Sequence, residues 1–136
     1  MLRVVLDTNV LVSAILKHGG NEWNILQKVS DKKIVSLTSE DMLHEFARVM
    51  SKPRFENSKE EVDEWLLFLA RMSYLVIPAK RLNVIRDDPS DNKILECAVC
   101  GNAHYIISGD KHLLDLGEYK DIKVLNSSDF LKSSDI

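Results

Sequence analysis

Residues 4–14 read VVLDTNVLVSA, and the three polar side chains in the middle decide how the chain is read. Arg3 to Asp7 is a continuous apolar run closed by polar residues, the pattern of a central parallel strand buried on both faces. A core strand gains nothing from an aspartate, and an ionised carboxylate out of water costs several kcal/mol unless something pairs with it. Asp7 therefore either caps the helix predicted by the apolar spacing of Asn9 to Leu16, or meets a positive charge at the strand end.

Outward from this stretch the same alternation repeats. Gly19-Gly20 breaks the first helix, and NEWNILQKVS (21–30) begins a second with Asn21 as its cap. KIVSLTS (33–39) reads as a strand, and Ser39 caps EDMLHEFARVMSK (40–52), which Pro53 ends. Ser58 opens the amphipathic segment SKEEVDEWLLFLARMS (58–73), with Trp65, Leu66, Leu69 and Met72 on one face. That stripe suits either the core or a dimer surface. YLVIP (74–78) is a short strand whose edge Val84-Ile85 extends. DDPSDN (87–92) combines turn and capping chemistry and leads into KILECAVC (93–100). HYIISGD (104–110) is a strand, KHLLDLGEY (111–119) a short helix, IKVLNSS (122–128) a last strand and DFLKSS (129–134) a final helical turn. Strands alternating with helices predict one α/β domain over residues 1–136, a parallel sheet covered by helices on both faces with right-handed crossovers. No internal repeat or low-complexity tract interrupts it.

Composition narrows the function classes. Of 136 residues, 45% are apolar and 29% charged, ordinary for a soluble globular chain. No apolar stretch approaches the ~20 residues needed to span a bilayer. MLRVVL turns polar too soon for a signal peptide, so a cytoplasmic location is expected. The net charge of -3 lacks the basic signature of bulk nucleic-acid binding, but carboxylates gathered around a cation lower the count without repelling a polyanion once the cation is bound. Cys97 and Cys100 form a CxxC late in a helical run rather than at a helix start, and no second ligand pair accompanies them. Two buried core thiols are the expectation.

In an open parallel sheet, functional groups collect at the carboxyl ends of strands where strand order reverses. Asp7 ends the first strand and Asp110 ends HYIISGD. If those strands are neighbours, both carboxylates face one crevice. Asp91 starts the helix between them, as cap and ligand together, and Glu45 lies in LHEFARV beside the apolar Leu43, Phe46 and Val49. Taken singly, each acid has a plainer reading: Asp7 and Asp91 as caps, Asp110 closing a turn after Gly109, Glu45 as an exposed helix acid. Together they cannot all ionise unaided, since a pair about 4 Å apart repels by roughly 4 kcal/mol at an effective dielectric near 20. Protons or a divalent cation must resolve the repulsion, and oxygen-only ligands select a hard ion, Mg²⁺ or Mn²⁺. Such a site suits phosphodiester hydrolysis by metal-activated water. Asn9 can orient the water or a carboxylate, and Thr8 and Ser108 can hold the ligands from behind.

The stretches LDTNVLVSA (6–14), the spaced set Ser39, Leu43, Glu45, Phe46 and Val49, DDPSDNKILECA (87–98) and ISGDKHLL (107–114) together resemble the PIN domain family, and NSSDFL (126–131) extends the match. The chain is most similar to the toxin-like (VapC-type) PIN proteins of toxin–antitoxin systems. The resemblance implies a five-stranded parallel sheet flanked by helices and a Mg²⁺- or Mn²⁺-dependent ribonuclease. It places the metal-binding and catalytic acids at Asp7, Glu45, Asp91 and Asp110, with Asn9 as polar companion. It also implies a homodimer and an antitoxin that inserts a segment near the active site. One position departs from the pattern: many relatives carry a further acid two residues after the one matching Asp110, where this chain has His112. Asp88 and Asp115 are the candidates to compensate, and His112 is expected to be a surface residue or to touch a phosphate.

Lys17, Arg48, Lys52, Arg54 and Lys111 are the cations placed to meet RNA phosphates, each competing with the reading of a solvated surface charge. A phosphatase that starts on an apolar strand ending in Asp needs a second Asp at position 9, where Asn9 stands. The zinc protease motif fails because Arg48 replaces its second histidine, and no GxGxxG or P-loop is present. The rival from another class is a non-catalytic PIN-like module that binds RNA or protein.

Overall fold

The computed structural model describes residues 1–86 and 88–133; Asp87 of DDPSDN and Ser134 of DFLKSS lie outside the described residues. Six strands form one sheet: β1 (Arg3–Leu6), β2 (Val35–Ser39), β3 (Ser73–Val76), β4 (Tyr105–Ile107), β5 (Glu118–Tyr119) and β6 (Ile122–Leu125). Their order is β3-β2-β1-β4-β6-β5. The five strands β3-β2-β1-β4-β6 are mutually parallel, as the resemblance implies. The two-residue β5 adds an antiparallel edge, with Glu118 opposite Lys123 and Tyr119 opposite Ile122. KHLLDLGEY is thus a six-residue helix followed, after Gly117, by a two-residue strand. Gly117 at φ 72 stops the helix where a residue with a Cβ would be strained, and Lys120 and Asp121 at φ 48 and 68 form the two-residue hairpin turn.

Among the described residues, seven α-helices flank the sheet: α1 (Thr8–Leu16), α2 (Asn21–Ser30), α3 (Glu40–Met50), α4 (Lys59–Met72), α5 (Asn92–Cys100), α6 (Lys111–Leu116) and α7 (Ser127–Lys132). Because strand side chains alternate, the apolar run of β1 feeds two cores. Val4 and Leu6 join Ile15, Ile25, Phe46, Leu69, Ile107 and Phe130 on one face. Val5 joins Leu37, Met42, Leu95, Ile106 and Leu113 on the other. The result is the three-layer α/β/α arrangement.

The caps of α3 and α4 follow local chemistry, and that of α2 shifts by one residue. The Ser39 hydroxyl accepts from the Met42 amide, and Ser58 and Glu61 form a reciprocal capping box at the start of α4. Gly20, rather than Asn21, occupies the cap position of α2, so Asn21 is already helical. Trp65, Leu66 and Met72 pack against the first core around the buried Leu69, which assigns that stripe to the core; Leu67 and Phe68 are what α4 leaves exposed. Val84-Ile85 does not extend the sheet. The chain leaves β3 at Val76 and runs without strand pairing to Arg86. Cys97 is buried, and burial pushes its thiol up to about 12, while Cys100 is exposed rather than buried as expected; both are free. No helix among the described residues is long and apolar enough to cross a membrane.

Candidate functional site

The strand order reverses between β1 and β4, which pair with Leu6 opposite Ile107. The Asp7 amide continues that ladder by donating to the Ile107 carbonyl at 3.0 Å. This bond holds Asp7 at the seam. It occupies the cap position of α1, yet its carboxylate makes no capping hydrogen bond. Instead, the Ser108 hydroxyl donates to Asp7 Oδ2 at 2.6 Å and accepts from the Asp110 amide at 2.9 Å. Ser108, fully buried directly after β4, thereby joins the two strand-end acids.

Asp110 is at once a cap and a member of the cluster. Its Oδ1 accepts from the His112 and Leu113 amides at 2.8 and 3.2 Å, opening α6. Asp91 differs from expectation. The chain is already helical over the short 3₁₀ turn Pro89–Asp91, so Asp91 lacks the extended backbone of a capping residue and makes no side-chain cap bond. Its residue surface is 7% exposed, and its Oδ2 is buried without a hydrogen-bond partner. Glu45 reaches the crevice from α3, where its Oε2 accepts from the Thr8 hydroxyl at 3.1 Å and its Oε1 lies 3.5 Å from Arg48 Nη2.

Electrostatics tie these groups together. Burial is the largest influence on Asp7 and raises its pKa; the Ser108 hydroxyl opposes this, and the charges of Asp110 and Glu45 reinforce it. Asp91 is pushed up to about 8, first by burial, then by the adjoining Asp110 carboxyl and the charges of Asp88 and Asp7. Donor atoms of Asp88, Asp91, Asp110 and His112 all lie within 4.8 Å of one another. The oxygen-rich set fits a hard divalent cation, and the buried, unpartnered Asp91 Oδ2 supplies an oxygen that a proton, a water or a cation would satisfy. Of the four expected acids, Asp91 and Asp110 share this donor set with His112 and with Asp88, one of the two compensating candidates; Asp7 and Glu45 lie outside it, and Asp7 is tied to Asp110 through Ser108 and to both Asp110 and Glu45 by charge. Asp115 is exposed and outside it.

The polar companions separate. Thr8 and Ser108 bond Glu45 and Asp7, whereas the exposed Asn9 lines an adjoining cleft of about 270 Å³ with Ser13, Asn126 and Ser127. Of the cations, Arg48 lies beside Glu45. Lys111 follows Asp110 at the start of α6. Lys17 is ten residues along α1 from Asp7, about 15 Å at 1.5 Å per residue. Arg54 lies over the Phe55 ring at 4.7 Å, and Lys52 precedes the turn Pro53–Phe55.

Two supporting residues carry no clear mark in the sequence. Asn92 Oδ1 accepts from the Val84 and Ile85 amides, and its Nδ2 donates to the Ile85 and Pro89 carbonyls. Glu96 accepts from the Leu82 amide at 2.8 Å, and Arg81 bridges it to Asp41. Together they bind the strand-free segment that leads to Asp88. The readable signal was Glu96 itself, an acid on the apolar face of ILECAVC; Asn92 was hidden by its place in a turn motif. Asn92→Ala is expected to cost about 2–4 kcal/mol, since several buried backbone groups lose their partner together. Chemical denaturation checks this; a loss under about 0.5 kcal/mol would show that the clamp is not needed.

Comparison with known proteins gives the same picture. The chain is 33% identical over 129 residues to uncharacterized protein MJ1680 of Methanocaldococcus jannaschii, a match covering 92% of this chain and 82% of that protein. Its fold is similar to that of VapBC2 from Rickettsia felis, solved bound to a DNA fragment from their promoter, with a TM-score of 0.62 and 20% identity over 92% of this chain and 98% of that one. The PIN domain model matches residues 3–112, from the first residue of β1 to the histidine of the donor set. With most of its length inside that match, the chain belongs to the PIN domain family.

Proposed function

We propose that this protein is a divalent-metal-dependent endoribonuclease, acting in the cytoplasm as a homodimer and as the toxin held by an antitoxin protein. The observation that carries the nuclease reading is the buried Asp91 Oδ2, left without a partner among Asp7, Asp88 and Asp110. A binding module has no use for so costly a cluster. Toxin, antitoxin and dimer rest on the motif resemblance, and the likeness to VapBC2 supports the fold on which they are argued.

In this reading Asp7, Asp91 and Asp110, with Glu45 at the rim, bind Mg²⁺ or Mn²⁺. The bound cation would lower the pKa of water and stabilise the oxygen leaving the phosphodiester. The protein's own groups do the positioning. Ser108 holds the Asp7 and Asp110 sides of the site together, and Thr8 fixes Glu45. Asn9, exposed at the mouth of the adjoining cleft, is placed to orient water or a nucleotide. Arg48 and Lys111, beside Glu45 and Asp110, are the cations best placed to take phosphates; Lys17, Lys52 and Arg54 would act farther along the strand.

The test is cleavage of labelled single-stranded RNA, with DNA of the same sequence alongside, in Mn²⁺, Mg²⁺ or EDTA. RNA cutting that needs the cation, and binding that weakens steeply between 50 and 200 mM salt, are the expected results. Tight RNA binding in EDTA without any cutting in either metal would hand the case to the binding module.

A further inference from the structure

The family pattern accounts for an all-carboxylate site, but this chain places an imidazole in it. His112 Nδ1 is buried and has no hydrogen-bond partner. It lies 3.8 Å from Asp110 Oδ1, too far for a hydrogen bond. The side chain as a whole is 39% exposed, so its exposure belongs to other atoms while Nδ1 faces inward. The donor atoms of Asp88, Asp91, Asp110 and His112 lie within 4.8 Å of one another. A cation with ligands at about 2.1 Å separates opposing donors by roughly 4.2 Å, so one ion nearly spans the group. A second unpartnered donor atom in the group is Asp91 Oδ2, on a residue 7% exposed.

The group is also held in place. His112 donates its backbone amide to Asp110 Oδ1, which fixes its backbone beside that carboxylate. Ser90 Oγ donates to Asp88 Oδ1, and Asn92 grips the Pro89 carbonyl next to it. One nitrogen among three carboxylates is a poor set for Mg²⁺, which takes oxygen and holds its water, but a good one for a transition ion that accepts imidazole.

We propose that His112 Nδ1 is a ligand of a cation bound by Asp88, Asp91 and Asp110, and that it makes the site prefer Mn²⁺ over Mg²⁺. This rests on the metal-dependent reading above, shares its Asp91 and Asp110, adds Asp88 and His112 to the ligands, and names the ion that reading leaves open. The expected acid is then replaced by a nitrogen donor, not lost.

The experiment is pulsed electron paramagnetic resonance of Mn²⁺ bound to the full chain, with Mn²⁺–Mg²⁺ competition by calorimetry, on wild type, His112→Asp and His112→Ala. A ¹⁴N coupling to Mn²⁺ is expected in wild type and absent from both variants, although His18, His44 and His104 remain. His112→Asp should keep cation binding while its Mn²⁺-over-Mg²⁺ preference falls about tenfold, matching the change of donor. Thermal melts of each variant control for folding. Bound Mn²⁺ without ¹⁴N coupling, or an unchanged preference in His112→Asp, overturns the role of His112 and leaves the nuclease reading standing. Failure of wild type to bind Mn²⁺ at millimolar concentration overturns both.

Discussion

Asp91→Asn is expected to abolish RNA cleavage while making the cation-free protein more stable. Loss of the activity should exceed the ~10–100-fold typical of residues that only support a metal ligand. The stability gain follows from the same carboxylate. In the native state burial and the charges of Asp110, Asp88 and Asp7 push Asp91 up to about 8 from its ordinary 3.8, and each unit of such a shift corresponds to about 1.4 kcal/mol. Asparagine keeps the shape, removes the charge and can donate to a neighbouring carboxylate. A gain of about 2–3 kcal/mol at pH 8.5, or roughly 5–10 °C in melting temperature, is expected in EDTA. Below about pH 4, where wild-type Asp91 holds its proton in the folded and the unfolded chain alike, the two proteins should melt close together. Equal melting temperatures at pH 8.5 would mean that the acids are not strained by proximity, and the argument for a resident cation would lose its energetic basis.

The second large effect is on wild type as pH and metal are varied. Asp91 has a folded-state pKa above its unfolded value, so its stabilising contribution is complete below about 4 and is lost as pH rises through about 8. Asp7 shifts in the same direction. In EDTA the melting temperature should therefore decline from pH 5 to pH 9. A divalent cation competes with the protons and binds only the assembled site, so it should restore stability at the alkaline end and do little at pH 5. At a hundred times its dissociation constant the cation adds about 2.7 kcal/mol. Melts in EDTA and in Mn²⁺ across this range provide the check, with Asp91→Asn as the internal reference. A cation effect of equal size at pH 5 and pH 9 would place the bound ion away from these carboxylates.

Much of this site is written in the sequence because strand ends and apolar periodicity are local signals. VVLDTN shows where β1 stops, and the equal position of Asp110 after β4 follows once the two strands are neighbours. The hairpin of β5 and β6 was less visible, since two residues of strand leave no period to read; only Gly117 marks the change. Asp91 looked like a cap because caps are judged by residue type, whereas the 3₁₀ turn before α5 settles its backbone geometry. Val84-Ile85 had strand composition, but its amides are taken by the Asn92 side chain and not by a neighbouring strand. From sequence His112 reads as a surface residue or a phosphate contact; the fold turns one nitrogen of its ring inward.

The side-chain clamp made by Asn92 and Glu96 also sets an order of events. Asp7 directly follows β1 and Asp110 is tied to the end of β4 through Ser108, whereas Asp88 arrives on a segment whose described hydrogen bonds run largely through those two side chains and Arg81, with Ile85 packed into the second core. That segment can lift while β1 and β4 stay paired, at a free energy below that of global unfolding. The amides of Leu82, Val84 and Ile85 should then exchange with deuterium well before those of the central strands. Entry and escape of the ion would keep the tempo of this strap, not that of the fold.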